Sequence, residues 1–406
     1  MKQLIVVLLW VTSFQLMAQK TVENGRTAQN SHTLVFTEDL TFGGTDEEWM
    51  LWVDSRTKIV PDTRGYMYVT DPKENVLLEF DPDGKFVRVA AKKGQGPGEL
   101  QGIRSFTILD NNEGVMLDGP PISVPKIKIF DESRKVIKED FLRAFGFPAV
   151  FWPSPDGKLA GSIYNQLSQS DNKIITQTGI INQNLEVVKV VRESKQNRID
   201  PSRAREGAYW SQFLAELLNS LFEGFGVIAF AHDNHVYTAV SNTYEITKWR
   251  PDLSEKVLVV KRQYKPIPNN EGHIDAIVDI MSESFSGVPF MQEVLTRPVL
   301  QKAVSLAEPP PAKNPVFGII PMEDGGFLVV HDVDLGTGHN LADIYSAEGQ
   351  FLGQTSMEGF GFMGVDGGYF IPRMIFRNGF AYTILTDEYG ENRAVRYTYR
   401  LGKKES

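Results

Sequence analysis

Two histidines and two aspartates stand close together in one short segment and carry the ligand atoms that divalent metals prefer. His331, Asp332 and Asp334 fall within four positions, and His339 follows beside Asn340. Imidazole nitrogen suits zinc, and carboxylate oxygen suits either zinc or calcium. We therefore consider Asp332 and Asp334 candidate metal ligands. Because the spacing matches no established metal motif, the pattern favours a solvated polar loop over a metal site.

Eight side chains have the types that are typical of a binding surface, where aromatic and arginine residues are enriched. They lie near the starts of predicted strands, in turns or in a predicted helix. The set consists of Arg104, Tyr164, Asn165, Tyr209, Trp210, His331, Asp332 and Arg373. We expect them to surround the mouth of a channel, although Trp210 fits the core of a helix equally well.

Several kinds of catalytic chemistry lack the residues that they need. The sequence contains no cysteine, which excludes a disulfide framework, a thiol nucleophile and a cysteine-bound metal. It also lacks the Gly-x-Ser-x-Gly nucleophile elbow of α/β-hydrolases. Gly359, Gly361 and Gly364 have the spacing of a dinucleotide-binding loop, but no strand precedes them and no helix follows, so the pattern predicts a connector. His232 and His235 flank a short turn and are predicted to be structural.

The composition limits the partners and the compartment. The 406 residues have a formal charge of −9 and no basic cluster, which argues against a nucleic-acid partner. Residues 1–18 resemble a cleaved export signal, with Lys2, an apolar run over residues 4–11, and Ala18 at the end; a buried strand or helix is the alternative. No later stretch predicts a transmembrane segment, and no cysteine follows the signal for lipid attachment. We expect a periplasmic or extracellular protein that is not lipid-anchored.

A unit of four short strands repeats along the chain. In its first copy, residues 58–60, 66–71, 76–80 and 86–90 are rich in β-forming residues and are separated by tight turns. Five further copies follow, and the last of them lacks one strand. Four-stranded units of roughly 40–50 residues are what a β-propeller blade requires.

The strand missing from the last copy has a candidate near the other end of the chain. Residues 32–40 form a strand-like segment with no partner of its own. Its pairing with the sixth unit closes a ring, which removes the sheet edges that would otherwise be exposed. We therefore predict an all-β fold, a six-bladed β-propeller over residues 32–402, with an open all-β array or sandwich as the alternative.

Two insertions interrupt the repeat, at residues 200–225 and 266–315. In the first, Asp200 and Pro201 predict a helix start, and apolar residues follow at helical spacing. In the second, Asn270 can cap another helix. Both insertions connect one blade to the next, and such connectors share one face of the ring. We therefore expect a helical rim on a loop-rich face, where function usually lies.

The first unit ends in a glycine-rich run that contains Gly94, Gly96, Pro97, Gly98 and Glu99. With this run, residues 57–104 resemble NHL-repeat proteins, and more closely the exported NHL-like six-bladed propellers of Bacteroidetes. The resemblance covers this one blade. It implies a propeller fold and a location in the cell envelope or outside the cell, and it implies no particular reaction. We expect the three glycines to permit backbone conformations that are closed to other residues.

These features predict a binding module rather than an enzyme. The loop-rich face is expected to recognise a peptide, a glycan or an envelope protein, without a cofactor. The alternative is a calcium- or zinc-dependent hydrolase or lyase with its site at the channel mouth. A scaffold within an envelope assembly is a third possibility, because a propeller fold does not determine function by itself.

Overall fold

The computed structural model of the chain describes residues 19–29, 31–44, 49, 51, 57–120, 124–141, 147–168, 173–269, 271–285, 289–334, 339–357, 363–366, 369–386 and 391–403. The predicted export signal, residues 1–18, lies outside the described residues.

The strands form six blades around a central axis. Two strands precede the blades, β1 (Lys20–Asn24) and β2 (His32–Phe42). Blade 1 contains β3 (Ile59–Pro61), β4 (Met67–Asp71), β5 (Val76–Phe80) and β6 (Phe86–Ala91). Blade 2 contains β7 (Ile103–Ile108), β8 (Gly114–Asp118), β9 (Lys126–Phe130) and β10 (Val136–Phe141). Blade 3 contains β11 (Phe147–Pro153), β12 (Leu159–Leu167), β13 (Lys173–Asn182) and β14 (Val187–Asn197).

The second half of the ring continues the pattern. Blade 4 contains β15 (Gly226–Phe230), β16 (Val236–Val240), β17 (Glu245–Trp249) and β18 (Lys256–Arg262). Blade 5 contains β19 (Gly318–Pro321), β20 (Phe327–Asp334), β21 (His339–Tyr345) and β22 (Phe351–Met357). A two-stranded hairpin follows, β23 (Met363–Asp366) and β24 (Tyr369–Pro372), and blade 6 contains β25 (Ile375–Arg377), β26 (Phe380–Thr386) and β27 (Asn392–Lys403).

Burial along the strands follows from this stacking. Every residue of β4 and β5 is buried, because neighbouring blades cover both faces of a middle strand. The outermost strand β14 instead alternates between half-buried and exposed residues over most of its length. The core is therefore a set of apolar layers between blades, and each innermost strand presents its free edge to the central axis.

The ring closes as the sequence predicted. β2 pairs antiparallel with β27, from His32 opposite Lys403 to Phe42 opposite Ala394. Blade 6 thus takes its fourth strand from the N-terminal part of the chain. A single parallel bridge also joins His32 to Gly353 of blade 5.

The pairing of β1 was not predicted. β1 runs parallel to β18 and adds a fifth strand to blade 4. Asn24 then fastens the segment to blade 5: its Nδ2 donates to the Gly349 carbonyl at 3.0 Å, and its Oδ1 accepts from the Phe351 N–H at 2.9 Å. Residues 20–42 therefore form a belt across the outer edges of blades 4, 5 and 6.

The two helical insertions are present as predicted, but their boundaries differ. Helix α1 (Gly207–Phe222) leads into blade 4, and α2 (Glu271–Phe285), α3 (Pro289–Val294) and α4 (Arg297–Ala307) lead into blade 5. The helix start predicted at Asp200 is a single 3₁₀ turn, in which the Asp200 carboxylate accepts from the Ser202 N–H at 2.9 Å. Asn270, the predicted cap of the second insertion, lies outside the described residues. No helix in the described part of the chain is long and apolar enough to cross a membrane.

The helices of the two insertions pack against each other. Trp210 and Leu214 of α1 are buried in one cluster with Leu300 and Val304 of α4. The Ser211 hydroxyl of α1 donates to the Val299 carbonyl of α4 at 2.9 Å. Because both insertions are inter-blade connectors on the same face, they form one helical unit on that face, as expected for the rim.

The last inter-blade connector contains a short hairpin. The glycine-containing stretch was predicted to be a connector, and its described residues include β23 and β24. Gly364 lies within β23, whereas Gly359 and Gly361 lie outside the described residues. No helix follows this stretch in the described residues, and a dinucleotide-binding loop needs one.

Candidate functional site

The central axis holds a cavity of about 250 Å³. Consecutive residues line it, because the innermost strands turn their free backbone edges toward the axis. The lining consists of Lys58, residues 106–108, Asp110, residues 151–155, Ile163, residues 225–230, His232, residues 318–321 and residues 374–377. A strand edge that no neighbouring strand covers has N–H and C=O groups available for a ligand. The wall thus combines an apolar surface with backbone hydrogen-bonding groups.

Arg377 lies at one end of this cavity. Its guanidinium reaches from blade 6 past blade 1 to blade 2, where it donates to the Ile108 carbonyl at 3.0 Å. It also contacts the Leu109 carbonyl at 3.4 Å and the Asp110 carboxylate at 3.3 Å. Burial lowers the pKa of Arg377, and Asp110 opposes that change. An arginine remains charged in proteins. The end of the channel at which Arg377 lies, called the floor below, therefore has a fixed positive group.

His232 lies at the same end of the cavity, in the turn between β15 and β16. The ring is still exposed in part, yet the surrounding protein removes enough water to lower the pKa of His232, and the charge of Glu323 opposes this. Its imidazole has no hydrogen bond to any residue that the structure describes. The sequence predicted a structural histidine on the face opposite the loops. The structure places His232 on that face, at the end of the channel.

The turns that surround this end are tied to one another. Each joins the first and second strands of a blade. The Asn112 side chain accepts from the Thr63 N–H of the preceding blade at 3.0 Å, and Asn234 accepts from the Asp156 N–H at 3.0 Å. Asn378 donates to the Asp62 carbonyl at 2.8 Å. These bonds make the floor of the channel a rigid ring.

Left-handed backbone explains the asparagines in these turns. Asn112, Asn234 and Asn378 have φ values of 62°, 63° and 56°. Asparagine tolerates this conformation better than other residues with a Cβ atom. The same conformation that makes the turn therefore also places an amide where it reaches the neighbouring blade.

The described residues that line the cavity include none of the eight predicted mouth residues. Arg104 is buried, and its Nε donates to the Gly119 carbonyl at 3.0 Å. Tyr164 is buried between blades 2 and 3, and burial raises its pKa to about 12. Asn165 pairs through its backbone with Phe147 and Thr176.

The structure also shows where the predicted mouth residues Trp210, Tyr209 and Arg373 lie. Trp210 is buried in the helical unit, and its indole N–H donates to the Ala204 carbonyl at 2.8 Å. This position agrees with the alternative that Trp210 belongs to the core of a helix. Tyr209 is half-buried beside it, with the Arg203 guanidinium 4.8 Å from its ring centroid. Arg373 is half-buried one residue before the cavity-lining Met374. A role of these residues in ligand binding stays a prediction.

His331 and Asp332 are buried between polar partners. The Lys313 ammonium contacts the Asp332 carboxylate at 2.7 Å and the Val333 carbonyl at 3.1 Å. His331 Nδ1 lies 3.1 Å from the Pro315 carbonyl, and the His331 ring packs against Tyr244. The described residues contain no group of three or more histidines, aspartates or glutamates that could hold a metal. The Asp334 side chain lies outside the description, so a metal at this segment stays a prediction.

The glycine-rich run that follows blade 1 lies at the junction of blades 1 and 2. Leu100 follows it and is completely buried in the apolar layer between these blades. The Glu99 carboxylate folds back to accept from the Gly96 N–H at 2.9 Å, and this bond lowers the pKa of Glu99. Only Gly98 has a positive φ, at +81°, whereas a Cβ atom on Gly94 would lie 1.8 Å from the Glu99 carboxylate. The glycines were expected to serve backbone conformation alone, but Gly94 makes room for a side chain.

Comparisons with known proteins agree with this architecture. Residues 54–186 match a family model, DUF5128, that is described as a 6-bladed beta-propeller. A proposed exported protein from Bacteroides fragilis is similar in structure, with a TM-score of 0.50 and 11% sequence identity over 95% of this chain and 100% of that chain. A member of the DUF4221 family from Bacteroides vulgatus has a TM-score of 0.51 and 8% identity over 93% of this chain and 100% of that chain. No curated protein matches the sequence.

At such low identities the structural likeness concerns the fold and leaves activity open. The closed ring of six blades, the family match over residues 54–186 and the similar Bacteroides structures agree on that fold. The chain is a six-bladed β-propeller, similar to propellers of Bacteroides.

Proposed function

We propose that this protein is an exported binding module that recognises a peptide, and that part of the peptide enters the central channel. The cavity lined by consecutive residues of the innermost strands carries the proposal. Export is supported by the signal-like pattern of residues 1–18 and by the similar Bacteroides fragilis protein, which is described as a proposed exported protein. Among a peptide, a glycan and a folded envelope protein, the channel favours the peptide.

The chemistry of the wall supports this choice. Exposed strand edges bind extended peptides through main-chain hydrogen bonds, while apolar pockets take alternate side chains. The channel provides both features, since Phe106, Phe151 and Ile319 belong to strands whose edges face the axis. A cavity of about 250 Å³ is smaller than the roughly 300 Å³ at which pockets for drug-sized ligands begin. Only a side chain or a chain end therefore fits inside.

The floor supplies a polar contact for what enters. Arg377 and His232 both line the channel, and the His232 imidazole has no hydrogen bond to a described residue. A peptide carboxylate or amide that reaches this end would find hydrogen-bond donors in a partly desolvated place, where such bonds are strong.

A channel-filling variant tests the proposal. Thr107 is the last residue but one of β7, lines the cavity and is only half-buried, so Thr107→Phe should fill the channel. Peptides enriched from a random displayed library on the wild type should bind the variant about tenfold more weakly or worse, as measured by fluorescence anisotropy. Thr398→Phe, on an exposed position of β27, is the matched control and should bind as the wild type does. Equal binding by Thr107→Phe, or no enrichment on the wild type, would overturn the proposal.

A further inference from the structure

Two ammonium groups meet one indole ring at the outer junction of blades 3 and 4. Lys189 belongs to β14, the outermost strand of blade 3, and Lys256 begins β18 of blade 4. Lys189 Nζ lies 3.5 Å from the centroid of the Trp249 ring, and Lys256 Nζ lies 5.2 Å from it. Two like charges thus share one aromatic residue.

Neither lysine has an acidic partner in the described part of the chain. The Glu255 carboxylate, next to Lys256 in the sequence, instead contacts the Arg250 guanidinium at 2.8 Å. Burial and the charge of Lys256 both lower the pKa of Lys189, which means that the charged form is less stable there than in water. An anion between the lysines would remove this penalty, because it provides the missing opposite charge.

The Trp249 side chain, which lies close to both lysines, is held in place. The Trp249 indole N–H donates to the Thr238 hydroxyl at 2.8 Å. The ring is partly buried in the apolar layer between the blades, beside Val191 and Phe230. A cation close to an indole face is attracted by the ring electrons, so Lys189 is already positioned before any ligand binds.

Lys189 lies at the edge of its sheet. Its strand β14 is the last strand of its sheet in the described residues, and Lys256 begins β18 of the neighbouring blade. A compact negative group can therefore approach the two ammonium groups from outside the ring.

We infer that Lys189 and Lys256 form a binding site for a phosphate or sulfate group beside Trp249. Ammonium groups bind such oxyanions as compact point charges. None of the three residues is among those that line the channel, so the inference does not depend on the proposed peptide binding.

The test follows the Trp249 indole N–H signal by NMR, assigned through Trp249→Phe. The probes are sodium sulfate, galactose 6-sulfate and uncharged galactose, with sodium chloride at matched ionic strength. We expect a saturable shift with galactose 6-sulfate and none with chloride. Lys189→Gln and Lys256→Gln should each weaken binding at least about tenfold. Lys261→Gln is the matched control on the same strand, because Lys261 is paired with Glu245 at 3.2 Å, and it should bind as the wild type does.

The outcomes separate the possible sources of the anion. Tighter binding of galactose 6-sulfate than of sulfate supports the site with a sugar ester as its ligand. Equal binding of both supports the site with the free ion as its ligand. The absence of a saturable shift, or a shift that survives both lysine substitutions, would overturn the inference. The remaining indole signals report whether each variant is folded.

Discussion

At the scale of single residues, Glu99 explains the glycine-rich run of blade 1. Its carboxylate fills the space beside Gly94 and accepts from the Gly96 N–H. Its carbonyl also accepts from the Lys128 ammonium of blade 2. The run therefore connects two blades, and its glycines serve a side chain as much as a backbone turn.

Gly94→Ala should lower the free energy of unfolding, because the new methyl group displaces Glu99 from the Gly96 N–H. The same substitution in a Glu99→Ala background should cost close to nothing, since the displaced carboxylate is absent. Urea denaturation of the four proteins measures the difference. Equal costs in both backgrounds would show that Gly94 is needed for its backbone conformation alone.

The sequence offered aromatic, arginine and histidine side chains for a ligand surface but could not place them. Arg377 and Asp110 meet at the channel floor although they are 267 positions apart. The residues around each of them in the sequence do not indicate this contact. The only local signal was the turn chemistry of Asn112, Asn234 and Asn378. Their left-handed backbone was recognisable in kind, but the contacts of their side chains depend on how the blades are arranged.

At the scale of elements, the repeat of four strands carried most of the information about the fold. Turns rich in Gly, Asn, Asp and Pro gave the strand boundaries, and the unpaired segment at residues 32–40 gave the closure. β1 was missed because Lys20–Asn24 is short, mostly polar and pairs in parallel with a strand more than 200 positions away. The helix start at Asp200 was misplaced because a capping residue followed by proline also suits a 3₁₀ turn.

A disulfide across the closing strands should stabilise the ring. Thr37 and Thr398 are directly opposite each other in β2 and β27, and both are exposed. Because the chain has no cysteine, Thr37→Cys with Thr398→Cys can form only this bond within one chain. Oxidation should raise the free energy of unfolding by about 3–5 kcal/mol, since the bond closes a very long loop in the unfolded state.

The measurement is the denaturant midpoint of the oxidised and reduced double variant, with the Thr37→Cys single variant as control. A midpoint that is the same in both redox states would mean that β2 is not held against β27.

At the scale of the whole molecule, stacking of the blades buries many tyrosines and so limits stability in alkali. Burial raises the pKa of Tyr68, Tyr164, Tyr397 and Tyr399 to about 12. Between pH 10 and 12 the unfolded chain has lost protons that the folded chain retains. Stability is therefore complete below pH 10 and falls as the pH rises toward 12.

Tyr164→Phe should reduce this alkaline loss. Between pH 8 and pH 11 the wild type should lose about 1 kcal/mol through Tyr164 alone, and the variant should lose that much less than the wild type. Urea denaturation at the two pH values gives the comparison, and each protein at pH 8 is its own reference. An unchanged loss in the variant would contradict the raised pKa of Tyr164.

The pairing of β2 with β27 also sets an order of events in time. The two strands are joined at positions 361 residues apart, so the first of them is synthesised long before its partner exists. At roughly 5–20 residues per second, β2 waits for the order of 20 to 70 seconds with Leu34, a core residue of the finished ring, exposed to water. During biosynthesis the ring is thus an open chain of blades, and its two ends join in the last step.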